Sequence, residues 1–195
     1  MNSTLEDPAV QDTGVVDPGV VDSGVDEVRE AAEQELASSL EAQFASLAGN
    51  VPIDVAEAAE SVANRIYLES VGTPDVQARA GTVRAEARGY VDVYRLSERQ
   101  SELDSYLLAA GGVPDAVAER ADREAGLVFD RNADKPELRT RAADLRAQAL
   151  GYLDDWSGAV DWGQRAVDLA PGSQVYRQNL DLASANLERI PGGKQ

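Results

Sequence analysis

The chain contains no cysteine and no histidine among its 195 residues. Without cysteine there is neither a disulfide framework nor a thiolate metal site, which fits a reducing compartment. Without histidine the commonest general base, the usual zinc ligand and every Ser–His or Cys–His nucleophile system are excluded. Di-iron centres of the ferritin kind, which need Glu-x-x-His pairs, are excluded with them. Aromatic residues make up only 5% of the chain. No run of eighteen apolar residues occurs, so no membrane span is expected. The opening MNSTLEDPAVQD lacks a basic start and an apolar core, and it is not expected to be a signal peptide. There is no GxxxxGK[ST] loop, and the glycine pairs do not follow a strand, so a phosphate cradle is unsupported. No cofactor is expected.

What is abundant is negative charge. Asp and Glu number 35 against 18 Lys and Arg, a net charge of −17. Phosphate recognition needs a basic footprint, so nucleic acid is not an expected partner, and an anionic membrane surface is disfavoured in the same way. Lys135 and Lys194 are the only lysines, which leaves sixteen arginines of the 18 basic residues. Arginine over lysine suggests a GC-rich genome, and the acidity suits either ordinary solubility or a halophile's high salt, where self-repulsion is screened.

Residues 1–35 carry ten acids against Arg29 alone, so 10 − 1 gives nine of the 17 net negative charges. Within them VDPGV is followed by VDSGV, and Pro8, Pro18, Gly14, Gly19 and Gly24 oppose a helix. Such a composition cannot bury enough surface to offset its ordering entropy. Residues 1–24 therefore read as an extended acidic Pro/Gly/Val-rich arm. Its evenly spaced Asp12, Asp17 and Asp22 lack the Asp-x-Asp-x-Asp-Gly pattern of a calcium loop, so no metal site is expected there.

Beyond the arm the chain is alanine-rich with helical periodicity, and residues 25–190 read as one all-α domain followed by a tail over 191–195. An amphipathic helix is expected over 25–48. Its stripe of Val25, Val28, Ala32, Leu36, Leu40, Phe44 and Leu47 recurs about every 3.7 residues against about 3.5 for a coiled-coil seam, which predicts packing on a body rather than a zipper. Helical hairpins are expected over 52–131. One helix carries Val55, Ala59, Val62 and Ile66. The next opens with Thr73 as N-cap and Pro74 at its first position and carries Val76, Ala80, Val83 and Ala87. Gly81 and Gly89 inside it predict close helix approach. Ser97-Glu98-Arg99-Gln100 matches a capping box and predicts a break there. Further helices follow Pro114, Pro136, Asp155 or Ser157, and Ser173, about eight in all.

Residues 138–171 resemble a tetratricopeptide repeat, a 34-residue helix-turn-helix unit. Ala159, Ala166 and Pro171 match the second-helix signature, with Gly163 in the aromatic position, Trp156 in the aromatic place before that helix and Leu150 as the large residue of the first. Arg146 and Ala147 stand where a Leu-Gly pair is expected. A fainter echo 34 residues earlier has Ala125, Phe129 and Pro136, while Leu180 would begin a further unit. The resemblance implies stacked antiparallel helical hairpins, with 136–190 as one unit plus a capping helix and a concave face that holds peptides or subunits.

The expected function is accordingly non-enzymatic: a protein–protein interaction or scaffolding component of a larger assembly, cytoplasmic or, in the alternative, a head or connector component of a virion. A carboxylate-based enzyme or ligand-binding regulator is the reading from another class. Arg84, Arg88, Arg95 and Arg99, at spacings of four, seven and four, are read as surface ion-pairing residues or as a stripe whose forks grip carboxylates, with the acidic arm of a second copy as ligand. Trp162, on the other side of its helix from the small residues, is expected to be exposed, and Tyr90 and Tyr94 supply a groove with polar tips or pack in the core. Asp154-Asp155 and Glu27, Glu30 and Glu33 read as helix-start charge and a solvated face before any catalytic role.

Overall fold

In the computed structural model, which describes residues 23–47 and 51–190, those residues form seven α-helices and no strand. They are α1 (Ser23–Ser46), α2 (Ile53–Glu69), α3 (Pro74–Ala110), α4 (Asp115–Arg131), α5 (Pro136–Tyr152), α6 (Trp156–Leu169) and α7 (Gln174–Arg189). The fold is all-α. The arm, with Asp12, Asp17 and Asp22, lies outside the described residues apart from Ser23 and Gly24, which already belong to α1. The tail 191–195 also lies outside them.

The break expected at Ser97 is absent, so α3 runs unbroken for 37 residues, about 55 Å at 1.5 Å per residue. Between Gly89 and Gly111 there is no glycine or proline to interrupt it. Leu96 and Leu103 are both buried two turns apart on its inner side. The Ser97 hydroxyl donates back to the Val93 carbonyl at 2.8 Å, the mid-helix habit of serine, instead of capping a new start. At the true start Pro74 takes the first position, but the Thr73 hydroxyl is spent on the Ser70 carbonyl at 3.2 Å and makes no cap.

This long helix joins two bodies of core. Its first half packs on α2 through small residues, with Ala56, Ala59, Ala63, Val76, Ala80, Val83 and Ala87 all buried. Alanine at these positions lets the axes approach closely, and Gly81 extends the effect, since a Cβ there would touch the Tyr67 ring at 3.4 Å. Gly89 serves a different contact: a Cβ would meet Lys135 Nζ at 2.7 Å, and that ammonium donates to the Ala85 carbonyl at 2.8 Å. The second half of α3 shares a larger core with α4, α5 and α6, built on Leu96, Leu103, Val117, Ala121, Ala125, Val128, Leu138, Ala142, Leu145 and Ala149.

A buried ion pair marks the seam between the halves. Asp92 on α3 is fully buried and receives the Arg131 guanidinium through both Nε, at 2.9 Å, and Nη2. It also accepts from Asn132 Nδ2 at 2.7 Å. Arg131 and Asn132 are the last residue and the C-cap of α4, so this clasp fixes where α4 ends against α3.

Helix α1 docks through part of the expected stripe, with Leu40 and Leu47 packed on the α2–α3 core. Ala37 is buried and Leu40 half-buried, whereas Val28 and Leu36 are 72% and 37% exposed. Polar hooks decide the rotation. Arg29 Nη2 donates to the Glu69 carbonyl at 2.8 Å, Glu33 accepts from the Ser70 hydroxyl at 2.9 Å, and Arg79 on α3 pairs with Glu41 at 2.8 Å. Residues 29, 33, 37 and 41 lie four apart and share one side of the helix.

Candidate functional site

Helix α5 lies at the centre of the C-terminal half, in contact with α3, α4, α6 and α7. Its apolar residues face α4 and α6. What remains is a line of longer side chains at i, i+4 and i+8: Asp144, Gln148 and Tyr152. On one side of that line stands α3, and on the other α7.

The three helices are tied across this face by amides. Asn179 Nδ2 on α7 donates to Asp144 Oδ1 at 2.8 Å, and Gln148 Nε2 donates to Asp144 Oδ2 at 2.8 Å. Gln100 Nε2 on α3 donates to Gln148 Oε1 and to Asp104 Oδ1, each at 3.0 Å. Beside this ladder is an open hollow of about 110 Å³ lined by Ala147, Gln148, Gly151, Tyr152, Trp156, Asn179, Leu182 and Ala183. Trp156, the first residue of α6, reaches it by lying over Gly151, where a Cβ would come within 3.1 Å of the ring. The turn that aims it contains Asp154 at φ 60° and Asp155, whose carboxylate caps α6 by accepting from Gly158 N at 3.0 Å. The Asp154-Asp155 pair therefore starts a helix, with Asp155 rather than Ser157 as the cap.

Asp144 is 9% exposed. Burial raises its carboxyl above the ordinary aspartate value of 3.8, against the pull of the Asn179 and Gln148 amides. Burial likewise raises Tyr152, with help from the Asp104 charge, and Tyr176, with help from Asp144. A carboxyl raised in the folded state binds its proton more tightly there than in the unfolded chain, so ionisation opposes folding. The relief is complete below 3.8 and is lost as pH rises through the folded value. The margin between Asp144→Asn and the parent is therefore expected to move in the parent's favour as pH falls from neutral to 3.8, on top of a pH-independent cost of asparagine, which offers one acceptor to two amide donors. Thermal midpoints of the two proteins across pH check this, and a margin that stays constant would contradict the assignment.

The residues singled out from the sequence are scattered rather than gathered at this face. Arg84 lies over the Tyr67 ring at 4.1 Å and donates to Asn64 at 3.2 Å, and Arg88 pairs with Glu60 at 2.7 Å. Arg99 meets Glu98, Glu102 and Glu124. Three of the four forks are thus held by their own chain, and Arg95 is exposed. Tyr90 is half-buried against the α2–α3 core, and Tyr94 is 39% exposed.

Trp162 is not the exposed residue expected from its helix face. It is half-buried against the main core, edge-on to Phe129 at 4.9 Å, with the guanidiniums of Arg146 and Arg165 at 4.2 and 4.3 Å from its ring. By helix geometry Trp162 lies only about 60° round α6 from Ala159 and about 40° from Ala166, on the flank of the small-residue face and not opposite it, so its ring reaches the core that Ala166 also enters. Trp156, by contrast, is half-exposed at the hollow.

The sequence pattern alone did not single out Gln100, Asp104, Asp144, Gln148, Tyr152, Asn179 and Leu182. The signal was present in the i, i+4 pairs Gln100–Asp104 and Asp144–Gln148, polar steps among many other polar residues of the same helices. Their convergence depends on α3 and α7 flanking α5. Among the described residues no group of three or more Asp or Glu is placed to hold a metal ion, and no helix is long and apolar enough to cross a membrane. Comparison with protein-family models, curated proteins and solved structures finds no match to this chain.

Proposed function

We propose that this chain is a non-enzymatic protein-interaction module that uses the α3–α5–α7 face to hold a segment of a partner protein. The observation that carries the proposal is the hollow itself, open, walled by Tyr152, Trp156 and Leu182, and bordered by an amide ladder. Its 110 Å³ is below the roughly 300–1,000 Å³ of small-molecule sites and near the ~150 Å³ of a cavity that takes one benzene ring. One inserted side chain suits it better than a substrate. Asp144, the buried acid an enzyme reading would seize on, has both oxygens occupied by amides of its own chain.

The finer architecture belongs to the same proposal. We read α5 and α6 as one tetratricopeptide-like hairpin and α7 as the helix after it. Support comes from Ala159, Gly163 and Ala166, the buried residues of α6, and from contacts of α5 with α3 and α7, two helices away in each direction. Stacked hairpins place alternate helices side by side on one face in this way. The length of α3 departs from that pattern.

A photo-crosslinking residue at position 182 tests the role. Leu182 is 63% exposed at the hollow, and Asp161 is exposed on α6 outside its lining. Position 182 is expected to yield a discrete adduct from source-cell extract that position 161 does not give, and Trp156→Ala is expected to abolish it. Equal adducts at both positions, or none at 182, would remove the proposal.

A further inference from the structure

The chemistry of the groove specifies its occupant more closely than a protein segment at large, a refinement that rests on the interaction role of the same face. That face carries two carboxylates, Asp104 and Asp144. Among the described residues neither has an ion-pair partner, although the neighbouring acids Glu102, Glu124 and Asp122 are all paired with arginine. The ladder meets both only with neutral amides. Arg141, nearly one turn before Asp144 on α5, directs its guanidinium to the Ser97 hydroxyl at 3.0 Å.

The apolar half of the face is equally bare. Leu182 is 63% exposed and Leu108 87% exposed. Gln100, Asp104 and Leu108 succeed one another at four-residue steps along α3, so Leu108 continues the edge that Gln100 and Asp104 begin. The apolar hollow and the uncompensated carboxylates thus lie side by side.

We infer that the α3–α5–α7 groove binds a basic protein segment, one that seats a large apolar side chain in the hollow between Tyr152, Trp156 and Leu182 and brings a neighbouring Lys or Arg to Asp104. Complementarity of charge across such a contact selects the partner and speeds encounter, and the net charge of −17 draws a cationic segment from a distance. The same field repels an acidic one. The apolar anchor supplies most of the affinity, as buried centres of interfaces do.

Selection of a displayed random dodecapeptide library on the full chain tests this, with fluorescence-anisotropy titration of the enriched peptides afterwards. The expected result is enrichment of Lys or Arg within a few residues of Leu, Met, Phe or Trp. Leu182→Asp is expected to weaken the enriched peptides by at least about tenfold. Asp104→Asn should weaken them by several-fold, with a shallower dependence on salt, and Glu119→Gln, an exposed acid on α4, should leave them unchanged. Residues 182 and 104 are both exposed, so these variants keep the fold. Enriched peptides without basic bias that still lose binding in Leu182→Asp would overturn the basic occupant and leave the interaction role standing. No enrichment, or binding indifferent to Leu182→Asp, would overturn both.

Discussion

Replacing Asp92 by alanine is expected to destabilise the protein by about 3–5 kcal/mol, the range for breaking a buried ion pair from one side. The carboxylate is fully buried and is the common acceptor of Arg131 and Asn132. Its removal strands the Arg131 guanidinium, which is 30% exposed and only partly able to turn to water. Asn132 keeps a bond to the Val128 carbonyl at 2.8 Å but loses its second acceptor. Arg131→Met is expected to cost a comparable amount for the converse reason, since it leaves a buried carboxylate facing one neutral amide. The double variant Asp92→Ala/Arg131→Met should then cost clearly less than the two singles together, because each single variant contains the penalty of the stranded partner. Urea midpoints at constant slope read all three. Against a typical total of about 5–15 kcal/mol, each single loss is large. A loss below about 1 kcal/mol for Asp92→Ala, or strict additivity in the double variant, would show that the clasp does not hold α4 to α3.

The clasp also shows how far the sequence could be read. Helical class and most buried positions come from periodicity: the expected stripes Val76–Ala80–Val83–Ala87 and Val117–Ala121–Ala125–Val128 are all buried. Such stripes are local, fixed by 3.6-residue geometry and by the cost of exposing apolar surface. Asp92 sits one residue from the stripe position Val91, and nothing local distinguishes it from the exposed acids around it. Its burial depends on Arg131, 39 residues away. The helix break expected at Ser97 failed for a related reason. A capping box is a local preference, and the burial of Leu96 and Leu103 on either side outweighs it. Of the α1 stripe, Leu40 and Leu47 dock as expected while Val28 and Leu36 stay exposed, because hooks from α2 and α3, Glu69, Ser70 and Arg79, settle the rotation of the helix. The groove obeys the same rule: its residues are spaced legibly, but they become a site only through tertiary partners at sequence separations of 35 to 48.

Gly163 gives the sharpest test of the tetratricopeptide resemblance, because the repeat pattern calls for an aromatic residue where this chain has none. A Cβ at this position would lie 3.3 Å from Leu180 Cδ1 and 3.5 Å from Leu180 Cα on α7. The first contact is the movable end of a side chain, and the second is backbone at ordinary van der Waals distance. Gly163→Ala is therefore expected to fall within about 1 kcal/mol of the parent, since the gain in helix propensity, about 1 kcal/mol, offsets a small adjustment of Leu180. Gly163→Phe has no such escape. The ring would have to occupy the space of α7 itself, and overpacking of this kind costs about 1–3 kcal/mol or more. Among the described residues helix α7 rests on α6 and α5 alone, and Ala183 is its one buried residue. Lifting it away is thus easier than deforming the core beneath. Hydrogen exchange of Gly163→Phe should show lost protection across residues 174–189 while α4 and α5 retain theirs, the pattern of a local opening. With α7 goes Asn179, one arm of the ladder, together with Leu182, so peptide binding at the groove should fail alongside the lost protection. If the phenylalanine variant instead keeps α7 protected and the groove intact, then α6 and α7 can separate to admit the aromatic residue of the repeat pattern, and glycine at 163 is not what sets their spacing.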